Sequence, residues 1–215
     1  MIHHLRPAVG EPEGALVLFH GRGTSEDDLF PLFEALDPGR RLAGVTPRGP
    51  VSLPPGGWHW YAVRRVGYPD RGTFEAAFER AAGFVDALPE LVGVPLERTV
   101  LGGFSQGTVM AYALALGAGR PRPAGIMALS GFIPSVDGFA FDLDDLQGFP
   151  VAMTHGSLDP IISVNFGREA RRRLEAAGAN VDYHEAPIGH QIDPAWIPAL
   201  GGWLERVLER AGQPR

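Results

Sequence analysis

The chain has 215 residues, of which 45% are hydrophobic and 20% are charged, and its formal net charge is -6. This length and apolar content suit one domain with a sizeable core, which we predict over residues 1–215. The acidic balance without a basic block argues against a nucleic-acid partner, and the absence of cysteine excludes disulfides, thiolate metal ligands and a cysteine nucleophile.

The N-terminal segment MIHHLRPAVGEPEG lacks the apolar run of a signal peptide, which is compatible with a cytoplasmic protein. Residues 99–119 are uncharged and long enough to resemble a membrane span. Glycine, serine and glutamine interrupt this stretch, and strand-like residues change to helix-like residues within it. We therefore predict a buried strand, a turn and a helix here, and no membrane span.

Strand-like and helix-like segments alternate along the chain. Apolar runs and one alternating segment predict strands at 15–19, 41–47, 99–104, 124–130, 150–155 and 180–186. Apolar residues at three- and four-residue steps predict a helix beginning near Ser25 and helices at 74–92, 106–118, 164–177 and 196–208. This alternation predicts an α/β fold with a mostly parallel central sheet and helices on both faces.

The segment 53–73 is rich in proline, glycine and aromatic residues and has no clean period, which predicts a long loop or a minimal cap. Its aromatic residues, Trp58, Trp60 and Tyr61, suit either a substrate pocket or the small core of a long loop. Its basic side chains suit either contact with an anionic substrate group or a solvated edge, and the pattern favours the edge. These basic residues are Arg64, Arg65 and Arg71.

Ligands of open parallel sheets bind beyond the carboxyl ends of the strands. Four predicted strands are followed there by residues with catalytic chemistry: His20-Gly21-Arg22-Gly23, Gly-Phe-Ser105-Gln-Gly, His155-Gly-Ser-Leu-Asp159 and Gly189-His190-Gln191. Serine, aspartate and histidine follow one another in the order used by α/β-hydrolases.

Each residue of this set meets a chemical need. A serine hydroxyl is a weak nucleophile, so Ser105 requires a base, which His190 can supply. The imidazole requires a carboxylate behind it, and we predict Asp159 because it follows a strand end directly. Asp182 and Glu185 are rival acids by sequence.

An oxyanion formed at the serine requires backbone N–H donors. We predict that Gln106 supplies one, at the start of its helix, and that Arg22 supplies the other, from the loop after the first apolar strand. Gly103 and Gly107 leave room for a tight turn that presents the serine, and Gly23 lets the loop approach the substrate.

Two further histidines, His20 and His155, each precede a glycine at a strand end. A metal pair at these positions lacks a third clustered ligand, so we predict buried, hydrogen-bonded histidines. We predict no metal site and no organic cofactor.

The chain resembles the phospholipase/carboxylesterase family of small α/β-hydrolases, which includes acyl-protein thioesterases and bacterial carboxylesterases. The resemblance covers residues 15–208 and lies in the motifs LFHGRG (18–23), PRGP (47–50), GGFSQG (102–107), LSGFIP (129–134), HGSLDP (155–160) and GHQI (189–192). It implies an α/β-hydrolase fold, a triad of Ser105, Asp159 and His190, and an oxyanion hole formed by the backbones of Arg22 and Gln106. In acyl-protein thioesterases the residue after the first His-Gly is usually apolar, whereas here it is Arg22.

These features predict a serine hydrolase that cleaves small carboxylic esters or thioesters. The rival hypothesis is a ligand-binding protein of the same fold with little turnover. The residues predicted to form the substrate pocket are Gly23, Trp58, Trp60, Tyr61 and Phe132. A homodimer is a further expectation, with Phe139, Phe141 and Phe149 as candidate contacts.

Overall fold

A seven-stranded sheet crosses the protein in the computed structural model, which describes residues 1–212. The strands of this sheet are β1 (His3–Arg6), β2 (Gly14–Phe19), β3 (Leu42–Pro47), β8 (Thr99–Phe104), β9 (Gly125–Leu129), β10 (Pro150–Gly156) and β11 (Asn180–Ala186). Their order in the sheet is β1-β3-β2-β8-β9-β10-β11, and all neighbours are parallel except β1 and β3. The remaining short strands form two separate pairs, β4 (Val51–Ser52) with β5 (Trp58–His59), and β6 (Val63–Arg65) with β7 (Tyr68–Pro69).

Helices cover both faces of the sheet. They are α1 (Leu32–Leu36), α2 (Arg71–Asp86), α3 (Leu88–Val92), α4 (Gln106–Leu116), α5 (Val164–Ala176) and α6 (Ile197–Ala211), and short 3₁₀ turns lie at Leu96–Arg98 and Pro194–Trp196. Successive residues of β2 point to opposite faces, so Leu16 packs in one core with α1 and α6, while Val17 packs in the other with α2 and α4. The predicted fold, a mostly parallel sheet between two helical layers, is confirmed.

Two elements near the N-terminus differ from the sequence predictions. The strand β1 was not predicted, because only Arg6 of its four residues is buried and the segment has no apolar run. The helix expected from Ser25 forms only at α1. Residues 25–31 are turns instead, in which the Ser25 hydroxyl accepts from the N–H of Asp27. Such local side-chain bonds compete with helix formation.

The helix predicted at 74–92 consists of two helices. The first, α2, begins at Arg71, three residues before the predicted start. Asp70 caps it by accepting a hydrogen bond from the N–H of Thr73 at 3.0 Å. The chain breaks at Ala87 and restarts as α3, with Pro89 in the first turn, where its missing N–H costs no helical hydrogen bond.

The uncharged stretch 99–119 is β8 followed by α4, and every side chain of α4 is buried. Between residues 1 and 212, no helix has the length and apolar content needed to cross a membrane. The predicted single domain, 1–215, extends three residues beyond the described range.

The helix α4 passes unusually close to the sheet. A Cβ on Gly107 would lie 1.8 Å from the carbonyl oxygen of Phe19, and a Cβ on Gly103 would lie 2.5 Å from the carbonyl carbon of Gly107. Only residues without a side chain allow β2, β8 and α4 to meet at this distance.

We expect Gly107→Ala to lower the free energy of unfolding by about 3 kcal/mol or more, because backbone must move to admit the new methyl group. Urea denaturation measures the change. Gly56→Ala is the matched control, since a Cβ there meets no atom within 4 Å. Equal stability of the two variants would contradict the packing argument.

Candidate active site

Ser105 lies at the sharp turn between β8 and α4. Its backbone has φ 56° and ψ -116°, a conformation that costs energy for any residue with a side chain. The turn is held by the N–H of Ser105, which donates to the carbonyl of Leu129 on β9 at 2.8 Å. The strand–turn–helix context is that of a nucleophile elbow.

The structure brings the three predicted catalytic side chains together. The Nε2 atom of His190 lies 2.8 Å from the Oγ of Ser105, and its Nδ1 lies 2.6 Å from the Oδ2 of Asp159. The imidazole ring packs against Phe104, with ring centroids 4.9 Å apart. The side chain of Asp159 is fully buried and that of His190 is 16% exposed, so Asp159 forms the buried end of the set.

Both oxygens of the Asp159 carboxylate accept hydrogen bonds. Its Oδ1 accepts from the backbone N–H groups of Ile161 and Ile162, each at 2.8 Å, while Oδ2 faces His190. Hydrogen bonds of this kind to an anion compensate its loss of hydration and fix its orientation. The arrangement suits a group that orients an imidazole.

The rival acids lie elsewhere. Glu185 pairs with Arg168 at 2.6 Å and accepts from the Tyr183 hydroxyl at 2.9 Å. Asp182 lies 3.5 Å from Arg206. Both residues belong to β11, before the loop that carries His190, and neither carboxylate forms a hydrogen bond with that ring.

The predicted oxyanion donors, Arg22 and Gln106, line the same cavity as Ser105. Within residues 1–212, neither of their backbone N–H groups donates to a protein acceptor. Gln106 is also the first residue of α4, where the helix dipole favours negative charge. Their role as an oxyanion hole stays a prediction.

The side chain of Gln106 has a second function that was not predicted. Its Oε1 accepts from the N–H of Trp60, and its Nε2 donates to the carbonyl of Tyr61, both at 2.8 Å. This amide thereby ties the segment before β6 to the helix that follows Ser105. A glutamine directly after the serine is the only sequence signal for this contact.

The cavity beside Ser105 encloses about 350 Å³, near the lower end of the range for small-molecule sites. The remaining lining residues come from the 61–69 segment, from the loops after β2, β9 and β10, and from the start of α4. They are Arg22, Tyr61, Val63, Arg65, Val66, Pro69, Gln106, Phe132, Ile161 and Ile162.

Two of the five predicted pocket residues, Tyr61 and Phe132, line this cavity. Trp60 does not: its side chain is fully buried, and its indole N–H donates to the carbonyl of His20 at 2.9 Å. Gly23 and Trp58 lie around a separate depression, where the N–H of Gly23 donates to the carbonyl of Trp58. The prediction that these three residues line the substrate pocket is corrected. An aromatic segment without a regular period does not reveal which side chains point into the core and which point into a cavity.

The 53–73 segment forms one wall of the cavity through the pair β6–β7. The cavity residues that the sequence did not indicate are Val63, Val66, Pro69, Ile161 and Ile162, while Arg65, for which the sequence favoured a solvated edge, also lines the cavity. The N–H of Ser135 donates to the carbonyl of Gly67 at 3.0 Å and so attaches the β6–β7 turn to the main body. The segment is therefore a minimal cap.

His20 and His155 are both buried and hydrogen-bonded. The Nδ1–H of His20 donates to the carbonyl of Gly21 at 2.6 Å, and its Nε2 accepts from the N–H of Gly49 at 2.9 Å. The Nε2–H of His155 donates to the carbonyl of Ile162 at 2.8 Å. Burial lowers the pKa of both rings from the ordinary value of 6.5.

One cluster in the described part of the chain has metal-ligand chemistry. Ligand atoms of His4, Glu26 and Asp27 lie within 4.8 Å of one another. Glu26 is engaged by Arg48 through both oxygens, and Asp27 is engaged by His4 at 2.7 Å. These atoms therefore already have partners, and none of the three residues lines the cavity beside Ser105.

The candidate phenylalanines for a dimer contact pack within the chain itself. Phe139 lies edge-on to Phe74 and Phe78, with centroids 5.2 and 4.8 Å apart, and it also contacts Phe141. Phe149 is partly buried against the same core. The homodimer stays a prediction.

The family model for phospholipase/carboxylesterase matches residues 6–207. The chain belongs to this family. Among its relatives, the acyl-protein thioesterase 1 of Neurospora crassa is 30% identical over 96% of this chain and 91% of its own length, and that of Yarrowia lipolytica is 28% identical over 94% and 96%. The carboxylesterase of Bacillus cereus superimposes with a TM-score of 0.82 at 25% identity, covering 95% of this chain and 93% of that one.

Gln106→Ala in this family member is expected to lower the free energy of unfolding by about 2–4 kcal/mol, because the buried N–H of Trp60 and carbonyl of Tyr61 both lose their partner. Urea denaturation measures the loss, and hydrogen exchange is expected to accelerate at the amide of Trp60. Gln147→Ala, at an exposed glutamine, is the control and is expected to change stability by less than about 0.5 kcal/mol. Unchanged exchange at Trp60 would contradict the proposed tie.

Stability is expected to fall on acidification below about pH 6.5, because the lowered pKa of His20 and His155 means that the unfolded chain binds more protons there. Each buried ring contributes fully above its unfolded pKa, and this contribution is lost as the pH falls through the lowered value. The slope per ring is at most about 1.4 kcal/mol per pH unit. Urea denaturation at pH 7.5, 6.5 and 5.5 measures it, and His155→Gln should show a shallower slope. An equally steep slope in that variant would exclude His155 as a source.

Proposed function

We propose that this chain is a serine hydrolase that cleaves carboxylic esters, and thioesters of similar size, through an acyl-enzyme on Ser105. The observation that supports this proposal most directly is a continuous set of hydrogen bonds. The Nε2 of His190 lies 2.8 Å from the Oγ of Ser105, and its Nδ1 lies 2.6 Å from the Oδ2 of Asp159. The relatives named as acyl-protein thioesterases and carboxylesterases support this reaction class.

In the first half-reaction, the Nε2 of His190 takes the proton of Ser105 while Oγ forms a bond to the acyl carbon. The carbonyl oxygen becomes an oxyanion beside the backbone N–H groups of Arg22 and Gln106. Asp159, already an acceptor from two backbone N–H groups, stabilises the imidazolium and holds its tautomer. The oxyanion then collapses, the bond to the leaving oxygen or sulfur breaks, and His190 returns the proton to that atom.

In the second half-reaction, water replaces the leaving group. His190 takes one water proton as the water oxygen bonds to the acyl carbon, and the same N–H donors receive the second oxyanion. Collapse breaks the bond between the acyl carbon and Ser105, whose oxygen regains its proton from His190. The acid product leaves, and the side chains return to their starting protonation.

The size of the site limits the substrate. A cavity of about 350 Å³ bounded by Phe132, Ile162 and the minimal cap has room for a small acyl group or a single short chain. We therefore propose short esters and thioesters as the substrate class.

Ser105→Ala is expected to abolish turnover of p-nitrophenyl acetate and butyrate, because Ser105 is the one hydroxyl among the described lining residues that is hydrogen-bonded to the imidazole of His190. Asp159→Asn is expected to lower kcat by about 10⁴-fold, since an amide stabilises the wrong imidazole tautomer. Both are measured by release of p-nitrophenol, with circular dichroism to check the fold.

Asp182→Asn is the matched control, because this carboxylate lies on the surface near Arg206 and is expected to leave kcat within about twofold of wild type. Retained activity in folded Ser105→Ala would overturn the mechanism. Tight binding of an ester by an inactive wild-type protein would instead favour a ligand-binding role.

A further inference from the structure

Two arginines, Arg22 and Arg65, line the cavity beside Ser105. No carboxylate is found among the lining residues that the structure describes. The nearest acid of the catalytic set, Asp159, has a fully buried side chain and faces His190. The cavity therefore presents positive charge to a substrate, although the chain as a whole carries a net charge of -6.

Neighbouring arginines are neutralised, whereas these two are not. Arg64 pairs with Asp70 at 2.7 Å, and Arg71 pairs with Glu75 at 2.9 Å. Throughout residues 1–212, neither Arg22 nor Arg65 has a carboxylate oxygen within 4.0 Å. In the 61–71 segment, Arg64 and Arg71 form ion pairs and lie outside the cavity, whereas Arg65 lines the cavity and has no such partner among the described residues.

The guanidinium of Arg65 has a defined position. Its central carbon lies 3.9 Å from the ring centroid of Tyr68, its cross-strand partner in the β6–β7 pair. Stacking on an aromatic face restrains a guanidinium but leaves its N–H edge free to bind a carboxylate through two hydrogen bonds. Arg65 is thus pre-positioned, so less conformational entropy is lost on binding an anion.

Apart from Ser105, Gln106 and Tyr61, the other lining residues of the cavity are apolar. Val66, Phe132 and Ile162 line its interior, while the exposed side chains of Val63 and Ile161 border it. A wall of this kind binds a hydrocarbon or aryl body and excludes water from it. A ligand that satisfies both features has a short apolar body and one negatively charged group.

We propose that the substrates are short esters that carry a free carboxylate, and that Arg65 selects them by binding this group, with Arg22 as the second cation. The inference rests on the proposed ester hydrolysis and specifies its substrate class. A carboxylate matches the planar fork of a guanidinium and fits a cavity of about 350 Å³ together with a short chain. The carboxylate can belong to the acyl part or to the leaving group, and the experiment separates these two cases.

The test compares kcat/KM for two matched ester pairs after subtraction of spontaneous hydrolysis. Mono-p-nitrophenyl glutarate against p-nitrophenyl pentanoate places the charge on the acyl part. 4-Acetoxybenzoate against its methyl ester places it on the leaving group. Wild type is expected to prefer the charged member of at least one pair. Arg65→Gln is expected to lower that preference about tenfold, because a tenfold change corresponds to about 1.4 kcal/mol, close to the contribution of one hydrogen bond to a charged group.

Arg64→Gln is the matched control, since this adjacent arginine pairs with Asp70 and lies outside the cavity, and its preference should equal that of wild type. Raised salt should reduce the preference of wild type more than that of Arg65→Gln, which retains only Arg22. Preference for the neutral member of both pairs, or an equal preference in wild type and Arg65→Gln, would overturn the proposal.

Failure of the hydrolase proposal is distinguishable from failure of this one. If neutral esters are cleaved and Ser105→Ala removes that activity, the reaction stands whatever the charge preference is. Calorimetric binding of 4-acetoxybenzoate, glutarate and the methyl ester to folded Ser105→Ala measures the preference without turnover. Equal or absent binding of the charged and neutral compounds there, together with no charge preference in turnover, would leave Arg65 as a solvated edge residue.

Discussion

The close approach of α4 to strands β2 and β8 is the constraint on which the rest of the site depends. Gly103 and Gly107 bring three backbones within distances that no Cβ could occupy. This contact drives Ser105 into its positive φ, and the elbow places the hydroxyl beside the ring of His190. Conformational strain at one residue is therefore balanced by a buried strand and a fully buried helix on either side of it.

The same helix start also organises the cavity. Gln106 uses its backbone at the candidate oxyanion hole and its side chain to hold Trp60 and Tyr61. The candidate nucleophile, the candidate oxyanion donor and the cap wall thus share one junction. A junction of this kind keeps the candidate catalytic groups and the cavity in fixed relation to one another.

Charge is distributed unevenly around this junction. The carboxylate of Asp159 is buried and accepts from two backbone N–H groups as well as facing His190, so its negative charge is held away from the cavity. Arg65 is instead stacked on Tyr68 at the cavity with no acid beside it. A small acidic protein can in this way present a locally positive site, because nearby charges in a concave, apolar surrounding outweigh distant ones.

By itself, the sequence determined the alternation of strands and helices, the family, and the strand-end positions of Ser105, Asp159 and His190, because apolar runs and glycine turns are local signals. It did not reveal β1, whose four residues, only one of them buried, carry no apolar run and pair only with the distant β3. Nor did it separate Tyr61, which lines the cavity, from the adjacent Trp60, which is core. Only the tertiary structure decided these points, and likewise which arginine of 64, 65 and 71 faces the cavity. Side-chain direction in a segment without periodicity is set by contacts with residues far away in the chain.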